Sequence, residues 1–106
     1  MYVDYLKVKG TKYKIYFKEV PDHILGLCDK ENKKIIISNK CPPKLVLGTL
    51  SHEIGHALCH ETYLDLSLEH GQEEIIAELF AYFIEQYGEY LQNLKEMQIE
   101  ASKNES

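Results

Sequence analysis

The chain has 106 residues, 44% hydrophobic and 27% charged, with a formal net charge of −5 at pH 7. That length supports one domain with a modest core, and the acidic balance argues against a surface built to bind nucleic-acid phosphates. No apolar run approaches the ~20 residues of a membrane span, and the polar start (Asp4, Lys7, Lys9) has no signal-peptide apolar stretch, so a cytoplasmic protein without membrane attachment is expected.

Residues 1–20 alternate with period two. Tyr2 to Val8 leads to a turn at Lys9-Gly10-Thr11. Tyr13, Ile15 and Phe17 then fall on one face, and Lys12, Lys14, Tyr16 and Lys18 on the other. Aromatic and β-branched residues in this pattern predict a hairpin with one wet face. Ile24–Cys28 reads as a further strand, Asp29–Asn32 as a polar turn, and Lys34–Ser38 as the returning partner. Lys34–Ser38 is also a candidate edge strand, able to hold an extended peptide by strand addition.

Pro43 suits the first turn of a helix running to about Glu61. At about 100° per residue, Leu47, Leu50, Ile54, Ala57 and Leu58 share one side, which packs on the sheet. His52, His56, His60 and Thr49 share the other. Tyr63–Gly71 reads as a loop, and a second helix runs from Gln72 to about Lys95. Its apolar stripe is Ile76, Ala77, Phe80, Phe83, Ile84, Tyr87, Leu91 and Leu94. Residues 1–95 form a single domain in this reading, and 96–106 a polar flexible tail. The expected fold is therefore α+β: a small N-terminal antiparallel sheet of three to four strands followed by two main helices. Cys28, Cys41 and Cys59 have no metal-like spacing and read as reduced thiols.

Ser51-His52-Glu53-Ile54-Gly55-His56 is an H-E-x-x-H motif in an apolar frame. Residues four apart share a helix face, so His52 and His56 can reach one ion, and Glu53 lies close enough to act on a water there. Two histidines leave a metal under-ligated. The extended form with Gly at 59 and His at 62 fails, because the chain has Cys59 and Thr62. The other common solution is a Glu on a following helix, giving two His and one Glu with a position left open. Glu73, Glu74 and Glu78 are available, with His70 in the preceding loop. Glu74 is favoured, because Ala77 and Ala81 lie within about 60° of it and let the second helix approach closely. Glu78 shares that face and suits a carboxylate that orients a ligand histidine. Glu73 sits in the first turn, where it complements the helix dipole. Tyr63, His70, Tyr82 and Tyr87 are candidates for stabilising an oxyanion.

The run from His52 to His60, followed by Glu74-Ile75-Ile76-Ala77-Glu78-Leu79-Phe80-Ala81, resembles the gluzincin class of zinc peptidases. Within that class, it is similar to the ImmA/IrrE family of bacterial and phage metallopeptidases. Glu78 stands where that family usually has Asn. The resemblance implies Zn2+ as cofactor, His52, His56 and Glu74 as its ligands, and Glu53 as general base. It implies a zinc-dependent metalloendopeptidase whose partner is a protein or peptide substrate, in that family a regulatory protein of the repressor type. The rival expectation is a non-catalytic metal-containing module that inhibits or sequesters a protein partner.

Overall fold

A two-residue turn at Lys9-Gly10, where both φ angles are positive (52° and 83°), closes the first hairpin. Such a turn matches the natural twist of the strands it joins. In the computed structural model, which describes residues 1–63 and 67–104 and leaves aside the side chains of residues 70, 95 and 98–104, this hairpin is β1 (Tyr2–Val8) and β2 (Thr11–Lys18). Then come β3 (Gly26–Asp29), β4 (Lys34–Ser38), α1 (Pro43–Glu61) and α2 (His70–Asn104). The architecture is α+β, a four-stranded sheet followed by two helices. Among the described residues no helix is long and apolar enough to cross a membrane.

The strand order is β1-β2-β4-β3. β1–β2 and β3–β4 are antiparallel, but β2 and β4 pair in parallel, Ile15 opposite Ile35 and Phe17 opposite Ile37. The sheet is thus mixed and not wholly antiparallel, and β4 is a central strand and not an edge. Three successive isoleucines explain why. Ile35, Ile36 and Ile37 are all buried, and an unbroken apolar run suits a strand covered on both faces better than a one-sided one. The open edge beside α1 belongs to β3.

One face of the sheet carries the core: Val8, Tyr13, Ile15, Ile35 and Ile37 pack with Ala57, and Leu50, Ile54 and Leu58 of α1 close over them. Leu47, expected on this side, is 54% exposed, because it lies near the N-terminal end of α1, beyond the sheet. At its C-terminal end α1 is latched to the sheet by Glu61, which accepts hydrogen bonds from Lys33 Nζ (2.7 Å), Tyr13 Oη (2.6 Å) and Thr11 Oγ1 (3.0 Å).

α2 differs most from expectation. It begins at His70, so Gly71 lies inside its first turn, and it runs to Asn104 instead of ending near Lys95. Segment 96–104 is therefore helical and not a loose tail. Its Glu, Met, Gln, Ala and Lys residues are good helix formers, with neither Gly nor Pro among them. At 1.5 Å per residue, 35 residues span roughly 52 Å against roughly 28 Å for the 19 of α1. α2 therefore outruns its partner. Ile76, Phe83, Tyr87, Leu91 and Leu94 are each 37–49% exposed, while Ala77 and Ala81 are buried.

Candidate metal centre

α1 and α2 run antiparallel and meet at glycine and alanine. A Cβ on Gly55 would lie 2.9 Å from Ala77 Cα and 3.2 Å from Ala77 Cβ. Only a glycine permits that approach, and the approach brings the first turns of α2 over the two motif histidines. Glu74 Oε1 then lies 2.9 Å from His56 Nε2, Glu74 Oε2 lies 3.2 Å from His52 Nε2, and the two Nε2 atoms are 3.2 Å apart. His52, His56 and Glu74 form a group that could hold a metal ion, each offering a ligand atom within 4.8 Å of the others.

The outer nitrogens are also held. His56 Nδ1 is 2.7 Å from Glu73 Oε1, and His52 Nδ1 contacts Glu78 Oε1. With each Nδ1–H donating to its carboxylate, both Nε2 atoms present lone pairs to the same point as the Glu74 carboxylate. In that tautomer three acceptors converge. That arrangement is repulsive without a cation and attractive with one.

Glu78 accordingly contacts His52, one of the histidines that could hold a metal ion. Glu73 does not serve only the helix dipole. It is 7% exposed and bridges His56 to Lys30, whose Nζ lies 2.6 Å from Glu73 Oε1. Burial pushes the Glu73 carboxyl up, but the hydrogen bonds and charges of Lys30 and His56 together outweigh this and hold it below the usual carboxylate range. Nothing in the local sequence marks Glu73 for this role. Lys30 in the turn after β3 is the missing partner, and its position depends on the sheet.

Glu53 is also buried, 8% exposed, and lines a cleft of about 820 Å³ together with His52, His56 and Glu74. Burial raises its carboxyl above the ordinary value; His52 and His56 oppose the rise and Glu74 adds to it. The opposite wall is β3. Gly26 lets this strand come close to α1, since a Cβ there would meet Thr49 Cγ2 at 2.8 Å and Glu53 Cγ at 3.4 Å. Cys28 lines the same wall. Burial, with Glu53 nearby, pushes its thiol up to about 12, so it is not a thiolate at neutral pH. Tyr82 lines the cleft, whereas His60, Tyr63 and Tyr87 do not. The side chain of His70 lies outside the described residues.

The chain matches no protein-family model, no curated protein and no solved structure.

Proposed function

We propose that the chain is a zinc-dependent endopeptidase acting on a protein or peptide substrate. The observation that carries this reading is the convergence of His52 Nε2, His56 Nε2 and the Glu74 carboxylate on one point beside the buried Glu53. Two imidazoles and a carboxylate are a zinc donor set. Ligands about 2.0–2.1 Å from a tetrahedral ion lie roughly 3.3 Å from one another, and the separations here are 2.9, 3.2 and 3.2 Å. Zinc in such a site supplies Lewis acidity, making water more acidic and polarising a carbonyl.

The remaining work falls to the chain's own residues. Glu53 takes a proton from the attacking water and passes it to the departing amine, so that one carboxyl acts first as base and then as acid. Its raised affinity for a proton, from burial, suits both halves of that exchange. Glu73 and Glu78 fix the ring orientations of His56 and His52. The free edge of β3, one wall of the cleft, offers backbone groups to an extended peptide. Among the tyrosines considered for an oxyanion, Tyr82 lines the cleft and is the one assigned to the substrate carbonyl in this reading. The likeness of the two motif helices to the ImmA/IrrE family supports a regulatory, repressor-type protein as the substrate.

Glu53→Gln separates chemistry from binding. The variant retains about one zinc per chain and loses cleavage of a diverse peptide library by at least ~10²-fold, the low end of what a general base contributes. Undiminished cleavage by Glu53→Gln removes Glu53 from the reaction. A zinc-loaded wild-type chain that cleaves no peptide in the library makes the protein a metal-containing binding module instead.

A further inference from the structure

Among the described residues, α2 runs past the end of α1 beyond about residue 90. Gly55 faces Ala77 and Gly48 faces Glu85, so in the same antiparallel register the first residue of α1, Pro43, falls opposite position 90. The helix runs on to Asn104. Most helical stability in proteins comes from packing of an amphipathic face, and the apolar pattern of α2 does not stop where α1 does. Ile76, Phe80, Phe83, Tyr87, Tyr90, Leu94 and Met97 recur at intervals of 4, 3, 4, 3, 4 and 3 residues. All but Phe80, which is half-buried, are 37–67% exposed.

The 4-3 alternation selects the kind of partner. A repeat averaging 3.5 residues keeps one seam facing another helix of the same repeat, and has no such match to a sheet or a loop. At 100° per residue the seam lies roughly 100–140° around α2 from Ala77 and Ala81, which face α1. It is therefore a separate face and not a continuation of the α1 contact. The charges point to a second copy as the occupant. The chain is acidic overall, with a net charge of −5, but the positions flanking the seam are Ala77, Ile84 and Leu91 on one side and Leu79, Gln86 and Asn93 on the other. None is charged. Glu78, Glu85, Glu89 and Glu96 all lie on the far side of the helix, so two copies can meet without opposing like charges, while a basic partner finds no acidic flank to pair with. The area is also sufficient: six large side chains exposed to this extent leave on the order of 700 Å² per copy, near the ~800 Å² per partner of a standard stable interface.

We propose that the chain self-associates through this seam, pairing α2 of one copy with α2 of a second as a two-stranded coiled coil over Ile76–Met97. The proposal is independent of the chemistry in the metal cleft. Sedimentation equilibrium on the full chain, from micromolar to millimolar concentration, should give a mass rising from one chain to two. Leu94→Glu and Met97→Glu place a charge in the seam beyond the end of α1, where neither can disturb the α1–α2 contact. Each should weaken the dimer at least ~10-fold and leave zinc binding unchanged, which shows that the domain is still folded. Glu89→Gln on the polar face should leave association as it is. A wild-type chain that stays monomeric at millimolar concentration overturns the proposal, and so does association as tight as wild type in both seam variants.

Discussion

Gly55 lies between the two motif histidines, and its replacement by alanine tests whether helix contact builds the site. The new Cβ would meet Ala77 Cα at 2.9 Å, where ordinary carbon contacts begin near ~3.5 Å. The obstacle is backbone, so no rotamer relieves it, and α2 must move outward by about half an ångström. Overpacking of this kind costs about 1–3 kcal/mol. Against it stands the gain of up to ~1 kcal/mol from removing a glycine from a helix interior. The net expectation is a metal-free protein destabilised by up to ~2 kcal/mol, read from the denaturant midpoint. The outward shift also carries Glu74 away from the histidine pair. If half of the packing cost is felt at the metal, zinc affinity falls by about two- to tenfold, since 1.4 kcal/mol is one decade. Competition with a chromophoric chelator measures it. Gly88→Ala is the control: the new Cβ would have only Ile84 Cγ2 within 4 Å, at 3.8 Å, so propensity acts alone and the protein gains stability. If Gly55→Ala also proves more stable by ~1 kcal/mol, with zinc affinity unchanged, then the close approach does not set the geometry.

Further outcomes follow from the polar contacts. Glu73→Gln removes the charged acceptor of His56 Nδ1 and the partner of Lys30, and should lower zinc affinity about 10–100-fold by chelator competition. Glu78→Gln should have a smaller effect, because the Glu78 side chain is 73% exposed and water can replace its hydrogen bond. Glu61 governs acid stability. Its hydrogen bonds to Lys33, then Tyr13 and Thr11, hold its carboxyl at about 2 against an ordinary 4.5. A depressed folded value stabilises the protein above pH 4.5, and this stabilisation is lost as pH falls from 4.5 toward 2. After discounting for solvent screening, it is on the order of 1 kcal/mol. Melting temperatures of wild type and Glu61→Gln should therefore converge over that interval, and a constant difference between them would assign the stability to something other than the charge.

The elements were legible because their periods differ. Period two in residues 2–18 and an apolar side spaced at 3.6 in residues 43–61 each have one solution. β4 was legible as a strand but not in its place: Lys34–Ser38 read as a candidate edge, whereas the buried run Ile35-Ile36-Ile37 lies centrally, and its parallel pairing with β2 depends on how the chain returns after Pro21. In the candidate metal centre, the grouping of His52 with His56 follows from helical spacing, and that of Glu74 with them from its alanine neighbours. Glu73 does not, since its partners come from α1 and from the turn after β3, and such convergence is a property of the assembled fold. The apolar stripe of α2 was visible, but its destination was not. Its continuation past α1 follows only once the lengths of the two helices are compared.

The contacts between the helices give α2 an unusual dependence on charge. Ala77 and Ala81 bury little apolar surface, at about 0.8 kcal/mol per buried methyl-sized group, so these two residues themselves add little hydrophobic attachment of α2 to α1. Beside them a set of polar contacts crosses the gap: Lys30 to Glu73 to His56, His52 to Glu78, and Glu74 between both rings. Glu53, Glu73, Glu74 and Glu78 face one cleft, and their mutual repulsion opposes the docking that small residues permit. A cation held by His52, His56 and Glu74 reverses the sign of that balance. Metal binding and the seating of α2 are then linked, each favouring the other by the same free energy. The alternative, bulky side chains filling the gap, would hold α2 firmly but too far away for Glu74 to reach either ring. Small residues at Gly55, Ala77 and Ala81 place the carboxylate within reach of both rings, where a cation held by the three would complete the attachment.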